Sequence, residues 1–219
     1  AVVPIAHEYI DEFQNGMARA KEGENYGLYN TDGQLVVPFE YENVGVLNEG
    51  FIAAVRDQKL GFLNDTGGVA IDFRYNIDSR NIKDISFRAG LTSVYQKGKY
   101  GLIDTAGRKI LPAMFDAIGD WTNERIAVKK NRNWGYVNRS NDLIIGYNFD
   151  YASDFENYMA IVKKKENYGV IDTAGKYLVE PQYHLLELID TAFYTAKSDT
   201  AWGLLTFTGD TLLPFVYDR

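Results

Sequence analysis

Trp134-Gly135-Tyr136-Val137-Asn138-Arg139-Ser140-Asn141 and, 34 residues later, Tyr168-Gly169-Val170-Ile171-Asp172-Thr173-Ala174-Gly175 share one pattern. An aromatic residue precedes Gly, an apolar pair follows, then a turn-forming Asn or Asp, and three residues on a Gly or Asn. The pattern extends in both directions. The first Gly recurs as Gly27, Gly61, Gly101, Gly135, Gly169 and Gly203, always 34 residues apart except for 40 between Gly61 and Gly101. Six residues after each stands Gly33, Gly67, Gly107, Asn141, Gly175 or Gly209. Asn is the non-Gly residue most tolerant of left-handed backbone, so this column reads as a turn requiring positive φ. A third column holds Pro38, Asp72, Pro112, Gly146, Pro181 and Pro214, with Pro4 one period earlier. Columns agreeing at one period mark a repeat architecture.

Between the columns the chain reads as strand, turn, strand. Phe51-Ile52-Ala53-Ala54-Val55 and Met159-Ala160-Ile161-Val162 are short runs of small and β-branched residues. The next strand crosses the first Gly, and Gly within a strand marks a bulge or a close approach. Turns such as Asn30-Thr31-Asp32-Gly33 lead into a third strand, which is expected to end where Pro cannot donate to a ladder. The expectation is an all-β chain of six three-stranded repeats, a single domain over residues 1–219. One hairpin cannot bury its own face, so neighbours must stack. Pro-column strands outnumber the hairpins, with Val2-Val3-Pro4 at one end and Leu212-Leu213-Pro214 at the other. Duplicate ends favour an open, twisted array over a closed, propeller-like toroid. The segment from Asp72 to Leu91 exceeds its counterparts by six residues, which are expected to loop out within 74–88.

These columns resemble the WG (KWG) repeat family, found mostly in bacterial proteins. The Trp-Gly pair is literal at Trp134-Gly135 and Trp202-Gly203, with Tyr or Leu replacing Trp elsewhere, and the resemblance covers nearly the whole chain. It implies a β-repeat interaction or scaffold module and supplies no catalytic residues.

Composition narrows the function. The 219 residues hold no Cys and two His, which removes disulfides, thiolate chemistry and Cys- or His-rich metal centres. Thirty acids against 23 bases give a net charge of −7, which argues against nucleic-acid binding by phosphate neutralisation. No apolar run is long enough for a membrane span. Leu102-Ile103-Asp104-Thr105-Ala106, Val170-Ile171-Asp172-Thr173-Ala174 and the literal Asp65-Thr66-Gly67 look like aspartic-protease signatures, in which two carboxylates share a proton. Yet the aligned positions read Asn30, Asn64, Asp104, Asn138, Asp172 and Thr206, which is a turn column and not a reserved pair. The same turns echo the start of a calcium loop but lack its later acids. No catalytic set, metal or cofactor is expected.

One column is more site-like. Six residues before the Gly stand Lys21, Val55, Tyr95, Lys129, Lys163 and Lys197, thickened by Lys130, Lys164 and Lys165. Lys21, Lys129, Lys163 and Lys197 are the candidate binding residues: a basic stripe on an acidic body, aimed at a protein or peptide partner. The competing reading is protection of exposed strand edges. Two aromatic columns, Tyr26, Tyr100, Trp134, Tyr168, Trp202 and Tyr41, Tyr75, Phe115, Phe149, Tyr217, read first as core. Exposed rings on one face would instead indicate an envelope-associated polysaccharide binder. Asp-Thr-Ala at Asp104, Asp172, Asp190 and Asp199 resembles a bacterial O-glycosylation acceptor, which with a start at Ala1 tilts the open question of compartment toward export.

Overall fold

The computed structural model describes residues 7–189 and 193–218. Val2-Val3-Pro4 and Asp190-Thr191-Ala192 lie outside the described residues. Chain packing divides the protein into two compact units, Ala1–Ala113 and Met114–Arg219. Among the described residues the fold is all-β and antiparallel, with one 3-10 turn, Ile82–Asp84, and no α-helix.

The fourth repeat shows the plan. Ala117–Thr122, Arg125–Lys130, Asn133–Val137 and Leu143–Phe149 pair in that order into one twisted sheet. The repeat therefore has four strands where the sequence reads three. The added strand lies between the Pro column and the next hairpin, and no alternation of apolar and polar residues marks it. Equivalent sheets begin at Tyr9–Ile10, Tyr151–Ala152 and Leu185–Ile189. The second and third repeats join as one seven-stranded sheet from Asn43–Asn48 to Lys109–Phe115. Among the described residues no sheet closes into a barrel.

Pro does not end the third strand, as the sequence reading has it. Leu35–Tyr41 runs through Pro38, and pairing passes from Leu28↔Val37 to Tyr26↔Tyr41, so two steps on one strand face four on its partner. The same bulge recurs between Phe62↔Ile71 and Leu60↔Tyr75, and between Leu204↔Leu213 and Trp202↔Tyr217. A bulged residue owes no ladder hydrogen bond, which is where a strand tolerates Pro. The bulge also presses backbone and ring onto the neighbouring Gly. A Cβ on Gly169 would stand 2.5 Å from the Val179 carbonyl oxygen, and one on Gly203 would stand 2.9 Å from the Phe215 ring.

The second Gly column closes the hairpins as expected. Gly175 has φ +85° and Asn141 has φ 66°. These turns also join repeats. A Cβ on Gly175 would meet Ile145 at 3.1 Å, and one on Gly209 would meet Val179 at 2.8 Å, each on the preceding repeat's Pro-column strand.

Within each unit, one repeat's Pro-column strand is buried by the next repeat's hairpin. Val37 and Tyr41 pack with Ile52, Ala54 and Leu63 in the first unit. Val179 and Tyr183 pack with Tyr194, Ala196 and Leu205 in the second. Each fully buried aliphatic or aromatic side chain contributes about 1.5–3 kcal/mol, the main force between repeats. Side chains then staple successive turns: Glu49 accepts from the Ala89 and Gly90 N–H groups at 2.8 Å, and Asn123 accepts from Tyr158 N–H at 3.3 Å.

The insertion does not loop out. Its Ile82, Ile85 and Phe87 are 6%, 4% and 0% exposed, and they complete a cluster with Phe62, Val94 and Ile103. Apolar residues interleaved with its charges fold inward because the third repeat lacks the opening strand that the other repeats carry. Lys83 reaches back to Asp11 at 2.6 Å, and Arg80 binds Asp78 and Ser93.

Candidate functional site

The four candidate lysines occupy one register position on the second strand of their sheets. Lys21 pairs with Tyr26, Lys129 with Trp134, Lys163 with Tyr168 and Lys197 with Trp202. The fourth strand of each sheet continues the row to Tyr41, Phe149, Tyr183 or Tyr217. Strand pleating puts cross-strand partners on one face, so each Lys ammonium lies over a ring. The ammonium nitrogens stand 5.8, 5.9, 5.2 and 6.0 Å from the ring centroids, in the same order of residues. Such contacts contribute about 0.5–1 kcal/mol when exposed. All four lysines are half-buried, and among the described residues none reaches a carboxylate.

Lys21 belongs to the first unit, and Lys129, Lys163 and Lys197 to consecutive sheets of the second. Tyr151 joins two of these rungs. It pairs with Lys163, and its ring meets Trp134 and Tyr168 at 6.5 and 6.3 Å. Burial, then the neighbouring Tyr168 and Asp154, push its hydroxyl above the ordinary tyrosine range.

Two rungs depart from the pattern. In the third repeat Tyr95 stands where Lys would, and Arg80 of the insertion places its guanidinium 5.2 Å from the Tyr100 ring. Sequence reasoning missed this cation because the repeat register does not reach into the insertion. In the second repeat Val55 and Leu60 replace both Lys and ring, and both are buried.

The Asp-Thr motifs are turn devices. Asp104 Oδ1 accepts from the Ala106 and Arg108 N–H groups at 3.0 and 2.8 Å, and Asp172 Oδ1 accepts from Ala174 and Lys176 N–H at 2.9 Å each. Asn64 and Asn138 bind their turns in the same way. Burial pushes the Asp104 carboxyl up, but these N–H groups and the Arg108 guanidinium outweigh it and hold it below the ordinary value. A carboxylate so engaged is a poor proton-sharing partner. Asp65 is exposed, beside Asn64, which supplies the acceptor.

Of the second aromatic column, Tyr41, Tyr75, Phe115 and Phe149 are buried, whereas Tyr217 is 48% exposed. The first-column rings named with it are half-buried, and Lys or Arg lies across each. Among the described residues no cluster of His, Asp or Glu could hold a metal ion, and no helix is long and apolar enough to cross a membrane.

Bulged, Gly-centred four-stranded sheets with an aromatic–Gly column define a β-repeat protein. The chain belongs to the WG containing repeat family, which matches residues 26–59, 100–134, 134–168 and 168–187, more than half its length. No curated protein matches it. Among solved structures it is similar to a crystal structure of the eukaryotic initiation factor, with 11% identity, TM-score 0.59, 97% of this chain covered and 67% of that one. It is also similar to Hsv2p of Kluyveromyces lactis, with 12% identity, TM-score 0.49 and coverage of 90% and 74%. A third likeness is to the Pan2 WD40 domain of Neurospora crassa, with 9% identity, TM-score 0.43 and coverage of 95% and 79%. At such identities the initiation-factor likeness concerns the fold alone.

Proposed function

We propose that this chain is a non-catalytic scaffold that binds a protein or an extended peptide segment along its lysine rungs. The observation that carries the reading is the repetition of one ammonium-over-ring arrangement at one register position in four sheets. Edge protection does not account for it, because each Lys lies on a strand paired on both sides. On a body of net charge −7, ammonium groups without carboxylate partners favour an anionic surface on the partner. The burial of Tyr41, Tyr75, Phe115 and Phe149 supports a protein partner over a polysaccharide, because sugar stacking needs a free ring face.

The test is a pull-down from lysate of the source organism, beside a variant with Lys21, Lys129, Lys163 and Lys197 all changed to Glu. The expected result is a protein recovered at low salt by the native chain and lost by the variant, with the native capture weakening as salt rises. Equal recovery by both would reduce the rungs to a solvated face of the sheets. If neither recovers protein, retention on an immobilised polysaccharide becomes the leading reading.

A further inference from the structure

The second repeat, where the rung is missing, holds a cavity of about 230 Å³. Its floor is Val55 and Leu60, the residues that replace Lys and ring, and its walls are Ile77, Ile82 and Ile85 from the insertion. In the other five repeats the position of Leu60 carries Tyr or Trp. The insertion covers the shorter side chains without filling the space a ring would take. Ile77 is 46% exposed at the mouth. The family pattern also lapses here, since its matches stop at residue 59 and resume at 100.

We propose that this cavity is a socket for one aromatic side chain, Trp or Tyr, of the protein that the scaffold binds. The proposal names an anchor on that partner and so rests on the protein-binding reading. The volume suits a single ring. An apolar cavity of about 150 Å³ takes benzene, and pockets for drug-sized molecules begin near about 300 Å³. The polar rim selects among rings. Arg80 is occupied by Asp78 and Ser93, and Asn43 Oδ1 accepts from Arg19 and Val44. Glu42 differs: one carboxylate oxygen accepts from Gln58 N–H at 2.9 Å, and among the described residues the other accepts nothing. An indole N–H or a phenol O–H can donate to it, whereas Phe cannot. In the sibling repeats the ring at the Leu60 position comes from the chain itself.

The experiment is methyl NMR of the full chain titrated with N-acetyltryptophanamide. Saturable shifts are expected at Val55, Leu60, Ile77, Ile82 and Ile85, in the millimolar range, with N-acetylphenylalaninamide several-fold weaker. Leu60→Trp plants the siblings' ring in the socket and is expected to weaken the probe at least tenfold. Ile77→Glu, at the exposed mouth, gives the same result without touching the core. Absent shifts, shifts confined elsewhere, or binding unchanged in both variants overturn the proposal. Probe binding beside full partner capture by Leu60→Trp also overturns it, while leaving the lysine reading intact. A probe that binds a chain capturing no protein instead removes the protein-binding reading and the partner assignment with it.

Discussion

Asp104 separates a turn device from a catalytic carboxylate. Its Oδ1 accepts two backbone N–H bonds, and its Oδ2 accepts from Arg108 Nε at 2.7 Å. Net contributions near 1 kcal/mol per backbone bond put Asp104→Ala at about 2 kcal/mol. Asp104→Asn keeps the Oδ1 acceptor, as Asn30, Asn64 and Asn138 do at the aligned positions. It loses only the bond to Arg108, a side chain 80% exposed, so its cost is under about 1 kcal/mol. The pH dependence follows from the lowered carboxyl. A depressed folded value gives stability that is present above the ordinary 3.8 and lost as pH falls through the folded value. The gap between native protein and Asp104→Asn should therefore be widest at neutral pH and close below about pH 4. Urea denaturation followed by circular dichroism is the suitable assay, because Trp121, Trp134 and Trp202 all lie in the second unit and report little on Asp104. If Asp104→Asn costs as much as Asp104→Ala, the turn argument fails. Peptide cleavage by the native chain, abolished in Asp104→Asn, would establish a catalytic carboxylate instead.

Phe87→Ala should cost about 3–5 kcal/mol in the same assay, because the ring is 0% exposed; a cost below about 1 kcal/mol would mean the insertion is a surface loop. Val179 and Leu213 are aligned but 4% and 45% exposed, so Val179→Ala should cost about 2 kcal/mol and Leu213→Ala under about 1. Equal losses would show that Leu213 is covered in solution. Gly169→Ala should cost about 2–3 kcal/mol, since its methyl must displace the Val179 carbonyl and the Pro181 nitrogen, 2.5 and 2.8 Å away. A neutral result would mean that the bulge relaxes freely.

The legible parts of the fold are those the period repeats. Gly169 and Gly175 stand for two backbone constraints, a close approach and a positive φ, and each reappears wherever the repeat does. Asn141 at φ 66° stands in the Gly column because Asn tolerates the left-handed backbone that the turn imposes. The lysine column was legible as a column, and its ring partners were columns too. Their contact across the strands depends on hairpin register, which the tight turns set. The opening strand of each sheet was hidden because segments such as Ala117–Thr122 carry a register shift and half-buried faces, so no period of two survives. The inward fold of the insertion was signalled only by Ile82, Ile85 and Phe87 among charges.

By itself the sequence determined the all-β class, the six repeats, their turns and the row of candidate lysines, because these are local constraints copied at a fixed interval. The tertiary structure decided which copies are covered. Leu213 and Tyr217 match residues buried in the earlier repeats yet lie half open to solvent, and Leu60 matches the rings yet borders a cavity. Burial belongs to the neighbour that packs against a residue, and packing between repeats is a non-local property that no period records.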